Sequence, residues 1–154
     1  MHWITRERPK VGRIGCAWLI RRFVDQDAIF HFVPGPQVAA EAQRLGATVF
    51  HVDGSQLSRR GQVSSFEAVI EHYQLGDEPA LTLLAHIVNT ADITTSPYQQ
   101  PEGAGLRSIL DGFLLLDADD HAVLAVGLQV YDAIYAYCQD MVRRGKPDGA
   151  RKAS

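Results

Sequence analysis

The chain has 154 residues, 46% hydrophobic and 21% charged, with a formal net charge of -3 at pH 7. That length buries a core without help from metals or disulfides, and the balance is ordinary for a soluble globular domain. No apolar run approaches the roughly 18 residues needed to cross a bilayer. The opening M-H-W-I-T-R-E-R also lacks the parts of a secretory signal, so membrane insertion is not expected and a cytoplasmic location is.

His2 to Arg6 (H-W-I-T-R) has strand-like content, and Pro9 ends it. From Val11 to Val24 the apolar residues Ile14, Cys16, Leu19, Ile20, Phe23 and Val24 recur at helical spacing. Ala28 to Val33 reads as a second strand stopped by P-G-P. Gln37 to Leu45 reads as a helix with Gly46 at its C′ position. Thr48 to Val52 reads as a third strand, followed by the Asp53-Gly54 turn signal. Ser64 is an N-cap for a helix to Tyr73, with Glu67 as the acid of its first turn. Pro79 opens a helix to Asp92, a shorter helix covers Leu106 to Leu116, and Asp119 or Asp120 caps the longest, which runs to Arg143.

This order, β-α-β-α-β and then helices alone, predicts an α/β fold with a small, mostly parallel three-stranded sheet. The helical C-terminal half packs on or beside that sheet, which leaves an α+β arrangement open. One domain is expected over residues 1–144, with a flexible basic tail over 145–154. Cys16 and Cys138 lie far apart in apolar helical patterns and read as two buried thiols of a reducing compartment, with a disulfide between them left open because sequence does not report their distance.

The distribution of charge is the first functional signal. Arg6, Arg8, Lys10, Arg13, Arg21 and Arg22 crowd the start of an acidic chain, interleaved with an apolar run, so a folded element presents them. Guanidinium forks match carboxylates and tetrahedral oxyanions in geometry. Arg6, Arg8 and Lys10 lie in the strand-to-helix loop, where α/β folds commonly bind ligands, and Arg13 lies in the first turns of the helix that follows. Arg21 and Arg22 sit where a helix ends, and the macrodipole gives them a sufficient structural role. A solvated basic face is the competing reading for the whole set.

The second signal is acidic. Glu67, His86, Asp92, Asp120 and His121 comprise carboxylate and imidazole groups that suit a hard or borderline divalent cation, or pairing with the arginines. Capping explains Glu67 and Asp119-Asp120 without a metal, and His86 and Asp92, six positions apart, are too far apart for an i, i+4 chelate. Tyr131 and Tyr135 share a helix face and read as core residues. No G-x-S-x-G, C-x-x-C, G-x-G-x-x-G or P-loop pattern is present.

Five ordered blocks carry a family resemblance: T-R-E-R-P-K-V-G-R-I-G-C-A-W-L-I-R-R-F-V-D from Thr5, S-F-E from Ser65, V-N-T-A-D from Val88, G-L-R-S-I from Gly105 and D-D-H-A-V-L-A-V-G-L-Q-V-Y-D-A-I-Y-A-Y-C from Asp119. Together they resemble the C-terminal domain of the chromate resistance protein ChrB family, over about Thr5 to Cys138. The resemblance implies an association with chromate efflux systems and, from better-known members, with chromate-responsive regulators that carry an additional N-terminal region; this chain reads as a stand-alone version. Ala17 stands where the family pattern has proline. The loop L-S-R-R-G-Q-V-S-S-F holds neither the His nor the Cys often offered there.

The leading expectation is an oxyanion-responsive sensing or accessory binding domain, with chromate or a similar oxyanion as ligand and Arg6, Arg8, Arg13, Arg21 and Arg22 as donors. The alternative is a metal-dependent cytoplasmic enzyme acting on a small anionic substrate, its divalent metal held by Glu67, His86, Asp92, Asp120 and His121. The third is a DNA-associated regulator acting as a homodimer.

Overall fold

The computed structural model describes residues 1–116 and 119–145. Three strands, β1 (His2–Arg6), β2 (Ile29–Val33) and β3 (Thr48–Val49), form a parallel sheet in the order β2-β1-β3. The register pairs His2 with Ile29 through Arg6 with Val33 on one side of β1, and Trp3 with Thr48 and Ile4 with Val49 on the other. Six helices follow the expected order: α1 (Val11–Leu19), α2 (Val38–Leu45), α3 (Ser65–His72), α4 (Pro79–Asp92), α5 (Glu102–Leu115) and α6 (Asp120–Arg143). The result is a mixed α/β fold, mostly helical. The basic tail expected over 145–154 lies, beyond Gly145, outside the described residues.

Alternation along β1 separates two apolar layers, because successive strand side chains point to opposite faces. Trp3 faces the large core with α1, α3, α4, α5 and α6, while its neighbour Ile4 packs with Val38 and Ala42 of α2 in a smaller cluster. Helices therefore cover both faces of the sheet. Such two-sided burial is what a parallel sheet requires.

α1 is the hub. Eight of its nine residues are buried, and only Arg13 escapes full burial. Gly15 is what lets α6 come so close: a Cβ there would stand 2.6 Å from the Tyr131 hydroxyl oxygen. That hydroxyl donates to the Val11 carbonyl at 2.6 Å, inside a stack of Trp18, Phe66 and Tyr131. Tyr131 is thus a fully buried core tyrosine with a satisfied O–H, as the helical spacing suggested.

Three boundaries differ from the sequence reading. The first helix does not continue as α-helix to Val24 but widens into a π-helical turn over Ile20–Val24, closed by the Asp25 N–H donating to the Ile20 carbonyl. α5 begins at Glu102, four residues earlier than expected, because its first turn is half-polar and shows little apolar periodicity. β3 keeps only two residues of the expected five; Phe50 retains a single bridge to Leu57, and the chain then turns away. This early exit builds the functional site.

Candidate functional site

All three strands run in the same direction, so their carboxyl ends open on one edge of the sheet. β1 delivers Arg6 and the start of α1 there, β2 delivers Gly35 and Pro36, and the chain leaving β3 delivers His51, Val52 and Asp53. Arg59, Ser65 and Asp92 complete the lining of a cavity of about 480 Å³. Ligands of open α/β sheets bind at this edge, where successive connections diverge to opposite faces. The volume is many times the roughly 30 Å³ share of one liquid water, so a hydrated small anion fits.

Each side chain has a local reason to be there. Arg13 sits in the first turn of α1, whose opening N–H groups lack intrahelical partners and whose N-cap, Lys10, supplies no side-chain acceptor. This helix end carries a partial positive charge toward the cavity. His51 has φ = 51°, in the left-handed region that histidine visits more readily than most side chains, and its N–H donates to the Leu57 carbonyl at 2.8 Å. That conformation takes His51 off the sheet and turns it toward α1. Gly12 makes room, since a Cβ at this position would lie 2.5 Å from Asp92 Oδ2 and closer still to His51 Cε1. Arg59 is steadied by its Nε donating to the Gly61 carbonyl at 2.9 Å.

The electrostatics are asymmetric. Arg6, Arg13 and Arg59 outnumber Asp53 and Asp92, and His51 adds no charge near neutrality. Burial, followed by the fields of Arg13 and Arg6, lowers the His51 pKa to about 3. Its Nε2 lies 4.0 Å from Asp92 Oδ2, a distance that would count as an ion pair only for an imidazolium; for the neutral ring it is a dipolar contact. Burial raises the Asp92 pKa against the opposing pull of Arg13, Arg59 and Arg107. Burial also lowers the Arg13 pKa, with Arg6 adding to that, and its Nε is buried without a hydrogen-bond partner. Arg21 Nε is likewise buried without a partner, so the cavity-lining position of Arg13, not its Nε alone, marks it as a ligand-binding candidate.

Cys16 approaches the other nitrogen of the same imidazole, with Sγ 3.9 Å from Nδ1. The Cys16-His51-Asp92 series has the order of a thiol hydrolase but not its electrostatics. Cys16 is fully buried, and burial pushes its thiol well above the ordinary range. A reactive cysteine needs a stabilised thiolate and access; this one has neither.

The remaining sequence candidates lie elsewhere. Arg21 donates to the Ala28 carbonyl at 2.7 Å and stands 5.2 Å over the Phe30 ring. Arg22 forms a bidentate pair with Asp132 at 3.0 and 2.8 Å, and Asp132 also accepts the Trp18 indole N–H at 2.7 Å. The Arg8 backbone N–H donates to Asp120 at 3.1 Å, and its exposed side chain is not part of the cavity lining. Of the five acidic and histidine candidates, Asp92 alone lines the cationic cavity. Glu67 closes a capping box with Ser64 and accepts from Asn89 at 2.7 Å. His86 stacks on Tyr98 with ring centroids 4.0 Å apart, and His121 meets Phe32 edge-on. Among the described residues no group of three or more His, Cys, Asp or Glu is placed to hold a metal ion. His51, Asp53 and Arg59 were missed because the sequence placed the first in a strand and the others in unremarkable loops.

The fold and site define an α/β domain with a cationic cavity at the carboxyl edge of a parallel sheet. The chain belongs to the family described as ChrB, C-terminal domain, whose model matches residues 3–138. It is 30% identical over 135 residues to Protein ChrB of Cupriavidus metallidurans strain CH34, covering 88% of this chain and 40% of that protein. The chain thus spans two fifths of that relative's length. No solved structure matches. Among the described residues no helix is long and apolar enough to cross a membrane.

Proposed function

We propose that this chain is an oxyanion-binding domain that serves chromate resistance by sensing or holding a tetrahedral oxyanion in the cavity between Arg6, Arg13 and Arg59. The observation that carries the reading is the convergence of three guanidiniums from three separate segments on one cavity, with the buried Nε of Arg13 unpaired. Packing alone gives no reason to gather like charges; burial first, and the field of Arg6 second, lower the Arg13 pKa. An anion offsets that crowding of like charge and accepts from guanidinium N–H groups at the cavity wall.

The parts divide the work by position. Arg6 and Arg59 are exposed and draw the anion toward the mouth. Arg13, half-buried, grips it beside the first N–H groups of α1. Bound anion bridges β1, α1 and the segment after β3, so occupancy is coupled to the arrangement of residues 50–64. Isothermal titration with chromate and sulfate tests the reading directly. One-site binding that weakens with salt and falls by about tenfold or more in Arg13→Ala supports it. No heat with either anion overturns it.

A further inference from the structure

We propose that the cavity takes its oxyanion together with one proton, held between an anion oxygen and the Asp92 carboxylate. It thereby selects oxyanions that keep a proton near neutral pH, such as hydrogenphosphate and hydrogenchromate, over sulfate. This rests on the anion-binding reading above and adds Asp92 as the residue that sets specificity.

The placement of Asp92 is otherwise hard to explain. It is the last residue of α4, where the helix dipole is negative and a carboxylate is the disfavoured choice. Its side chain is 24% exposed, and no group among the described residues donates a hydrogen bond to it. The groups around it are Arg13 and Cys16 from α1, His51 and Asp53 from the segment after β3, Arg59 from the next loop, Arg107 from α5 and Tyr131 from α6. None of these closes a direct pair with it: the nearest, His51 Nε2, stands 4.0 Å away. In the unliganded protein water donates to this carboxylate, and a ligand that displaces that water must bring a donor of its own or leave Asp92 unpaired.

A fully deprotonated dianion brings only acceptors and faces that carboxylate across the same cavity. An anion bearing one O–H donates to Asp92 while its remaining oxygens accept from the guanidiniums, so every group is satisfied. The raised pKa of Asp92 favours a shared proton but sets the limit of the selectivity: sulfate can enter only with a proton taken up by Asp92, whereas a hydrogen-bearing anion brings its own. Sites built to hydrogen-bond a ligand hydroxyl reject analogues lacking it, because the buried partner is then left unpaired.

The test is calorimetric titration of the full chain with inorganic phosphate and with sulfate near neutral pH, in wild type and Asp92→Asn. The expected result is phosphate binding tighter than sulfate by about tenfold or more in wild type, a difference near 1.4 kcal/mol. In Asp92→Asn, whose amide donates, that preference collapses or inverts toward sulfate. Chromate titrated from about one unit below to about one unit above its second ionisation should lose affinity as pH rises, with proton uptake on binding growing from near none to about one. Sulfate binding as tightly as phosphate in wild type overturns the proton proposal and leaves anion binding standing. A phosphate preference unchanged in a folded Asp92→Asn also overturns it. Absence of binding by all three anions overturns both readings. The wild-type ratio decides the matter even if the variant does not fold.

Discussion

Replacing Arg13 with alanine separates a ligand-binding role from a packing role, because the two move different observables. The guanidinium is half-buried in the first turn of α1, with its Nε unpaired and Arg6 repelling it. A charge-assisted hydrogen bond contributes about 1.5–3 kcal/mol, so losing one from the bound anion weakens binding by about 10- to 150-fold. The unliganded protein should lose little stability, within about 1 kcal/mol, since relief from burial and from Arg6 offsets the lost attraction to Asp92. Calorimetric titration with oxyanion and urea unfolding of the same preparation read both quantities. Unchanged affinity would refute the reasoning. So would a stability loss of about 3 kcal/mol or more, which would make Arg13 a structural residue.

Arg21→Ala, in contrast, leaves oxyanion affinity within about twofold while costing stability through the lost Ala28 and Phe30 contacts, as titration and thermal unfolding show side by side. Asp132→Ala strips the acceptor from the buried Trp18 indole and should cost about 1–3 kcal/mol in urea unfolding, with anion binding intact; its exposed pairing with Arg22 contributes little of that. Gly12→Ala drives a methyl group into His51 and Asp92 and should both weaken anion binding and destabilise the fold by about 1–3 kcal/mol, checked by the same two assays. The His51 pKa of about 3 lies below its unfolded value, so the unfolded chain binds the proton first. Stability is therefore full above about pH 6.5 and falls as pH drops toward 3, by up to about 1.4 kcal/mol per unit, with Asp92 opposing in the lower part of the window. Imidazole resonances of His51 that titrate near pH 6.5 would contradict this.

How far the sequence exposes the site depends on which interaction places each residue. Arg6 and Arg13 are legible because the strand, Pro9 and the following apolar period fix a strand-to-helix connection, and such connections open at the carboxyl edge of a parallel sheet. Asp92 is legible as a chemical group but not in its role, since nothing local reveals that the C-terminus of α4 comes up against Gly12. His51 is hidden: T-V-F-H-V has the pattern of a strand, and the left-handed turn that removes His51 from it is imposed by the Phe50 and Leu57 contacts. Arg21 and Arg22 look equivalent to Arg13 by type and spacing, yet the Ala28 carbonyl just beyond the helix end engages the first and the distant Asp132 the second. Caps were the most local feature and read directly, with the Ser64–Glu67 box and the Asp119 cap both present. Blocks of the family resemblance also supply Arg6, Arg13, Ser65 and Asp92 to the cavity, so chain segments distant in sequence meet at one place.

The central claim is that one oxyanion occupies the cavity at the carboxyl edge of the sheet. A crystal of the full chain soaked in chromate, with anomalous data collected at the chromium edge, locates the ion without assumption. The account predicts a single chromium peak between Arg6, Arg13 and Arg59, within hydrogen-bonding reach of the Arg13 guanidinium. A peak at Arg21 and Arg22 instead, or none in the cavity at saturating chromate, would contradict it.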